Sequence, residues 1–164
     1  MASNLLNVVE GIKAKTRNLF LDNKEHPPIF FLDTPMGIGL MPCSFSSNEE
    51  KDRQLDLIKA MISDGKIQAF IFISEAWMKT VDTFADIKEE YKKHGSLKYA
   101  SNKEEVLMIQ YQSFDKNIFL TAKINRDGDN VTLEEWKETV SENKTGLSGG
   151  RFDNLFERAK AASN

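Results

Sequence analysis

Residues 66–78, Lys-Ile-Gln-Ala-Phe-Ile-Phe-Ile-Ser-Glu-Ala-Trp-Met, constrain the fold more than any other stretch of the chain. An almost unbroken β-branched and aromatic run, bounded by the turn Asp64-Gly65, reads as a strand buried on both faces and therefore near the middle of a sheet. It then switches abruptly to a carboxylate and an indole. Glu75 and Trp77 stand where this strand emerges, which suits a binding site.

The elements around it follow from periodicity and punctuation. Residues 4 to 21 place Leu5, Val8, Val9, Ile12, Leu19 and Phe20 on one helical face, weakened by Gly11 by ~1 kcal/mol relative to alanine. His26-Pro27-Pro28 ends that helix and delivers the chain into the strand Ile29–Leu32. A turn at residues 33–37 and a strand Ile38–Met41 complete a hairpin. Ser47 and Glu50 have capping-box spacing ahead of a helix at 48–62 that buries Leu55, Ile58, Met61 and Ile62, with Gly65 just past its end. Glu105–Tyr111 and Asn117–Ile124 are two strands joined through Phe114-Asp115-Lys116 as an antiparallel hairpin. Thr132 and Glu135 repeat the capping-box spacing, so a helix presenting Leu133, Trp136 and Val140 is expected there. A last helix carries Phe152, Leu155, Phe156 and Ala159 on one stripe. Residues 79–104 are read as an insertion or lid of mixed charge.

Composition bounds what such a chain can do. With 164 residues, 40% apolar and 29% charged, it supports one globular domain over residues 1–164. A net charge of −3 argues against nucleic acid and anionic membranes as partners, because both are bound through concentrated positive charge. Cys43 is the single cysteine, which excludes an internal disulfide and favours a reducing compartment. With no signal-peptide pattern at the N-terminus and no apolar run of membrane-spanning length, a cytoplasmic location is expected. The sequons at Asn130 and Asn143 are irrelevant there.

Several constellations invite chemistry. Asn125 to Glu135 resembles a calcium-binding loop, but the sixth position is Asn130 where glycine is required and the closing glutamate comes one residue early. Gly146-Leu147-Ser148-Gly149-Gly150-Arg151 ahead of a helix can offer backbone N–H groups and a guanidinium to an anion, although it lacks the Gly-Lys-Ser/Thr ending of a phosphate loop. Arg126 and Arg151 are the first choices for a phosphate-bearing ligand. Asp33, Glu75 and Asp127 fall near strand ends, where carboxylates either solubilise turns or, if brought together, divide acid and base work. His26 and His94 have no metal spacing, Cys43 has no recognisable histidine partner, and no nucleophile elbow occurs. Trp77 and Trp136 are suited either to stacking on a ligand or to packing.

The expected fold is α+β, a five-stranded largely antiparallel sheet flanked by helices in the order α-β-β-α-β-(α)-β-β-α-α. This element order resembles the roadblock, longin and profilin-like folds, which implies a dimerising or ligand-binding scaffold. Phe72–Met78, Glu105-Val106-Leu107, Arg126-Asp127-Gly128 and Thr132–Trp136 resemble stretches of small bacterial and phage proteins of no assigned activity. The functional expectation is a non-enzymatic cytoplasmic binding protein of phage or bacterial accessory type. It would be a homo-oligomer without cofactor or metal. It would capture a small molecule through Glu75, Trp77, Arg126 and Arg151, or inhibit a partner protein. The alternatives are a small hydrolase using the strand-end carboxylates, metal-assisted or not, and a purely structural interaction module.

Overall fold

The computed structural model describes residues 4–43, 47–78, 104–141 and 155–156. A short 3-10 turn, Leu6–Val8, leads into helix α1, Val9–Asn23. Strands β1, Ile29–Thr34, and β2, Gly37–Pro42, precede helix α2, Asn48–Ser63. Strands β3, Ala69–Met78, β4, Glu104–Ser113, β5, Asn117–Asp127, β6, Asn130–Leu133, and β7, Lys137–Ser141, follow. The fold is α+β, with a seven-stranded antiparallel sheet in the order β2-β1-β3-β4-β5-β6, β7 pairing with β5.

The stretch at 69–78 is an inner strand of this sheet, as its composition requires. Ala69, Ile71 and Ile73 join the core under α1, with Leu107, Ile109, Ile118, Leu120 and Phe20, whereas Phe70 and Phe72 join the core under α2, with Phe30, Ile58 and Ile62. Alternation at a period of two therefore sends successive side chains into two separate apolar layers. Met78 pairs with Glu104, so β3 and β4 stay in register to their ends.

Local chemistry accounts for the element ends. Ser47 Oγ accepts from Glu50 N at 3.1 Å and caps α2. At the other end Lys66 N donates to Met61 O and Gly65 N to Ile62 O, the paired bonds of a Schellman motif, with Gly65 at φ +69. Thr34 pairs with Gly37 across a two-residue loop, as the expected hairpin demands.

The structure corrects three expectations. Among the described residues seven strands stand where five were expected. The residues expected to form a helix after Thr132 instead form β6 and β7, because Gly128 adopts φ +59 and, with Asp129, closes a two-residue hairpin that sets Asn130–Leu133 against Ile124–Asp127. Of the expected apolar helical stripe, Val8 in the 3-10 turn and Leu19 on α1 are 38% and 46% exposed, while Thr16 takes the buried position between Ile12 and Phe20. The last helix is described only at Leu155 and Phe156, both helical and buried; Leu155 N donates to Gln112 Oε1 at 2.8 Å and so docks the segment on the α2 side. Phe152, Ala159 and nearly all of the 79–104 segment lie outside the described residues.

Candidate functional site

The odd-numbered stripe of β3 continues beyond Ile73 to Glu75 and Trp77. On β4 the stripe Tyr111, Ile109, Leu107 continues to Glu105, and on β5 the stripe Ile118 to Ile124 continues to Arg126. These charged ends meet just past the C-terminus of α1. Arg126 donates from Nε and Nη2 to Glu105 at 2.8–3.1 Å, from Nη2 to Glu75 Oε1 at 2.8 Å, and from Nη1 to the Lys24 carbonyl at 3.3 Å. Its guanidinium carbon stands 5.9 Å from the centre of the buried Phe20 ring. Glu75 Oε2 accepts from His26 N at 3.2 Å.

One cation thus ties three strands to the end of a helix. Glu105 holds it with the two-pronged geometry that suits guanidinium and carboxylate, and Glu75 receives a single bond. Burial pushes the Glu75 carboxyl above its ordinary value; the His26 N–H and Arg126 pull it down, while Glu105 and Glu25 reinforce the rise. The hydrogen bonds that Arg126 donates to Glu105 lead the causes that hold its guanidinium above its ordinary value. Burial lowers the His26 imidazole, partly offset by its bond to the Pro27 carbonyl.

Of the residues singled out in sequence, Glu75 and Arg126 are brought together, and Trp77 lies two positions along β3, 37% exposed and opposite Glu105. Arg151, His94 and the glycine-rich loop lie outside the described residues. Asp33 does not join the cluster. It pairs with Ala69, and Ala69 to Glu75 is ~20 Å of extended strand. Its carboxylate is buried and accepts from Asn4 N and Gln68 Nε2 at 3.0 and 3.1 Å, which pins the chain before α1 to the sheet. Asp127 is exposed beside the β5–β6 turn. Asn125 to Asp129 is strand and hairpin, without the helices that flank a calcium loop. Among the described residues no group of three or more His, Cys, Asp or Glu side chains is placed to hold a metal ion, and no helix is long and apolar enough to cross a membrane.

A second feature adjoins the cluster at His26. A partly open groove of about 300 Å³ runs between α1 and the β1–β2 hairpin. Val8, Ile12, Thr16 and Leu19 form the helical wall, Ile29, Phe31 and Ile38 the sheet wall, and Ile73 the floor, with His26 and Pro27 at one end and Lys15 beside Thr16. The groove has a physical origin: Arg17 donates to the Leu133 and Glu134 carbonyls at 2.7 and 2.9 Å, which ties α1 to the β6 side of the sheet and leaves Ile29 and Phe31 only partly covered. Sequence reasoning missed both Glu105 and the groove. Strict alternation from Leu107 and Ile109 could have placed Glu105; nothing in the sequence records where α1 lies across the sheet.

Comparison with protein-family models, curated proteins and solved structures finds no match to the chain.

Proposed function

We propose that the protein is a non-enzymatic binding protein whose groove between α1 and the β1–β2 hairpin captures a small, largely apolar molecule. The observation that carries this reading is the groove itself: about 300 Å³, at the small end for a ligand site, lined by aliphatic and aromatic side chains with Lys15, Thr16 and His26 as its polar groups. Lys15 gives the site a cation of its own, so an amphipathic ligand with one carboxylate or phosphate fits the lining. Arg126 is less suited to that task, because two carboxylates already neutralise it. A hydrolase built on the strand-end carboxylates has less support: Asp33 is remote, and both oxygens of Glu75 are engaged.

The test uses the apolar anionic probe anilinonaphthalene sulfonate together with native mass spectrometry of the untagged protein. Binding of the probe by the wild type, lost in Val8→Glu/Leu19→Glu with the fold retained, supports the reading; both side chains are more than a third exposed, so the change spares the core. Equal probe fluorescence in the variant, or none in the wild type, refutes it. A stoichiometric excess mass on the native protein would identify the ligand directly.

A further inference from the structure

The free edge of the sheet carries a separate message. Strand β2 is outermost among the described residues, and its surroundings, Pro35-Met36-Gly37-Ile38-Gly39-Leu40-Met41-Pro42, contain no charged residue. Exposed edges ordinarily carry lysine, a bulge or a covering element to prevent strand pairing. Here Met36 is 100% exposed, Leu40 63% and Ile38 44%.

The hairpin determines which backbone groups face outward. In a two-residue hairpin the closing pair, Thr34 and Gly37, is a hydrogen-bonded one, so the bonded pairs continue at Leu32–Gly39 and Phe30–Met41. The bond from Cys43 N to Pro28 O at 3.0 Å extends the same parity. On the other side of β1, Asp33 O accepts from Gln68 N, as the alternate parity requires. Ile38 and Leu40 therefore direct their N–H and C=O groups away from β1.

We infer that this edge pairs with a second copy of the chain, β2 against β2 in antiparallel fashion, about a two-fold axis at Gly39. That axis sets Ile38 of one copy opposite Leu40 of the other, twice, and each such pair exchanges N–H···O=C bonds in both directions. Gly39 then meets its own counterpart in the non-hydrogen-bonded position, where strands approach most closely and the absence of a side chain is an advantage. On the α1 face, Ile38 and Leu40 of both copies close into one apolar cluster. The choice of a second copy rests on charge. A two-fold axis places a strand against itself, so any ionic side chain would meet its like; an uncharged stretch carries no such penalty. The proposal is independent of the groove's ligand, although Ile38 borders both.

The test is sedimentation velocity of the full chain up to about 100 μM, with Leu40→Pro and Leu40→Lys beside the wild type. Leu40→Pro deletes an outward N–H from each copy and leaves the ladder to β1 intact, and edge strands tolerate proline at such a position. We expect a wild-type dimer of twice the chain mass, and for Leu40→Pro a dissociation constant weakened by roughly 30-fold. Leu40→Lys, at an exposed side chain, should be monomeric with an unchanged circular dichroism spectrum, which keeps the test decisive if the proline variant misfolds. A wild-type monomer at the highest concentration overturns the inference, as does a dimer that neither variant weakens. Because neither variant touches the helical wall of the groove, probe binding that persists in Leu40→Lys separates the two proposals.

Discussion

Replacing Arg126 with methionine should destabilise the protein by about 2 kcal/mol at pH 7. Methionine keeps an apolar stem against Phe20 and removes every polar contact of the guanidinium. The two-pronged bond to Glu105 is the larger loss, about 1 kcal/mol net for partly exposed partners, since the side chains of Arg126, Glu105 and Glu75 are 38%, 19% and 26% exposed. The remainder comes from the single bond to Glu75 and from two carboxylates, formerly within 2.8 Å of the same nitrogen, left facing each other uncompensated. The pH dependence has a definite sign. Glu75 already sits above its ordinary value in the folded protein, and loss of Arg126 removes a cause that lowers it, so the folded variant holds that proton still more tightly than the unfolded chain. Its stability relative to wild type therefore recovers as the pH falls from neutral towards the ordinary glutamate range and worsens again as the pH rises through the folded value. Urea unfolding followed by circular dichroism at pH 7 and pH 5 reads this directly. A deficit below about 0.5 kcal/mol at pH 7, or the same deficit at both pH values, would refute the clamp, as would simple additivity between Arg126→Met and Glu105→Gln.

Three smaller changes probe the frame that holds the site. Gly65→Ala places a β-carbon on a residue at φ +69 and should cost about 1 kcal/mol, measured as a lowered urea midpoint with unchanged slope. Ser47→Ala removes the acceptor for Glu50 N and should cost about 1 kcal/mol, with the loss of amide protection confined to the first turn of α2. Cys43, half-buried and pushed up to about 11 from 9.0, should react with iodoacetamide at pH 8 about 100-fold more slowly in the native protein than in urea; equal rates would show that its thiol is not shielded.

The parts of the fold legible in sequence are those where a local device and the global pattern agree. The run at 69–73 had nowhere to go but an inner strand, and α2 announced both ends through Ser47 and Gly65. The error after Thr132 arose where they disagree. Leu133, Trp136 and Val140 have helical spacing, yet the Asp127-Gly128-Asp129-Asn130 turn returns the chain onto β5, and pairing with a neighbour already in place outweighs a weak local preference. The cluster was half visible: Glu75 and Arg126 stood out singly, but only the sheet register brings residues 51 positions apart into contact. The groove was invisible because it depends on the seat of α1, set by Arg17 reaching two carbonyls more than a hundred residues away.

The pairing of Met78 with Glu104 bears on how this chain can change over time. Met78 and Glu104 sit opposite each other on adjacent strands, so the sheet fixes where the intervening sequence begins and ends, whatever its length. Closing such a loop costs only ~0.6 kcal/mol more for each doubling of its length. Insertions, deletions or a wholly foreign segment can therefore be exchanged at this junction while β3 and β4 keep their register. The junction at Met78 and Glu104 adjoins Glu105, which Arg126 holds, so whatever sequence is grafted there starts and ends next to the clamp.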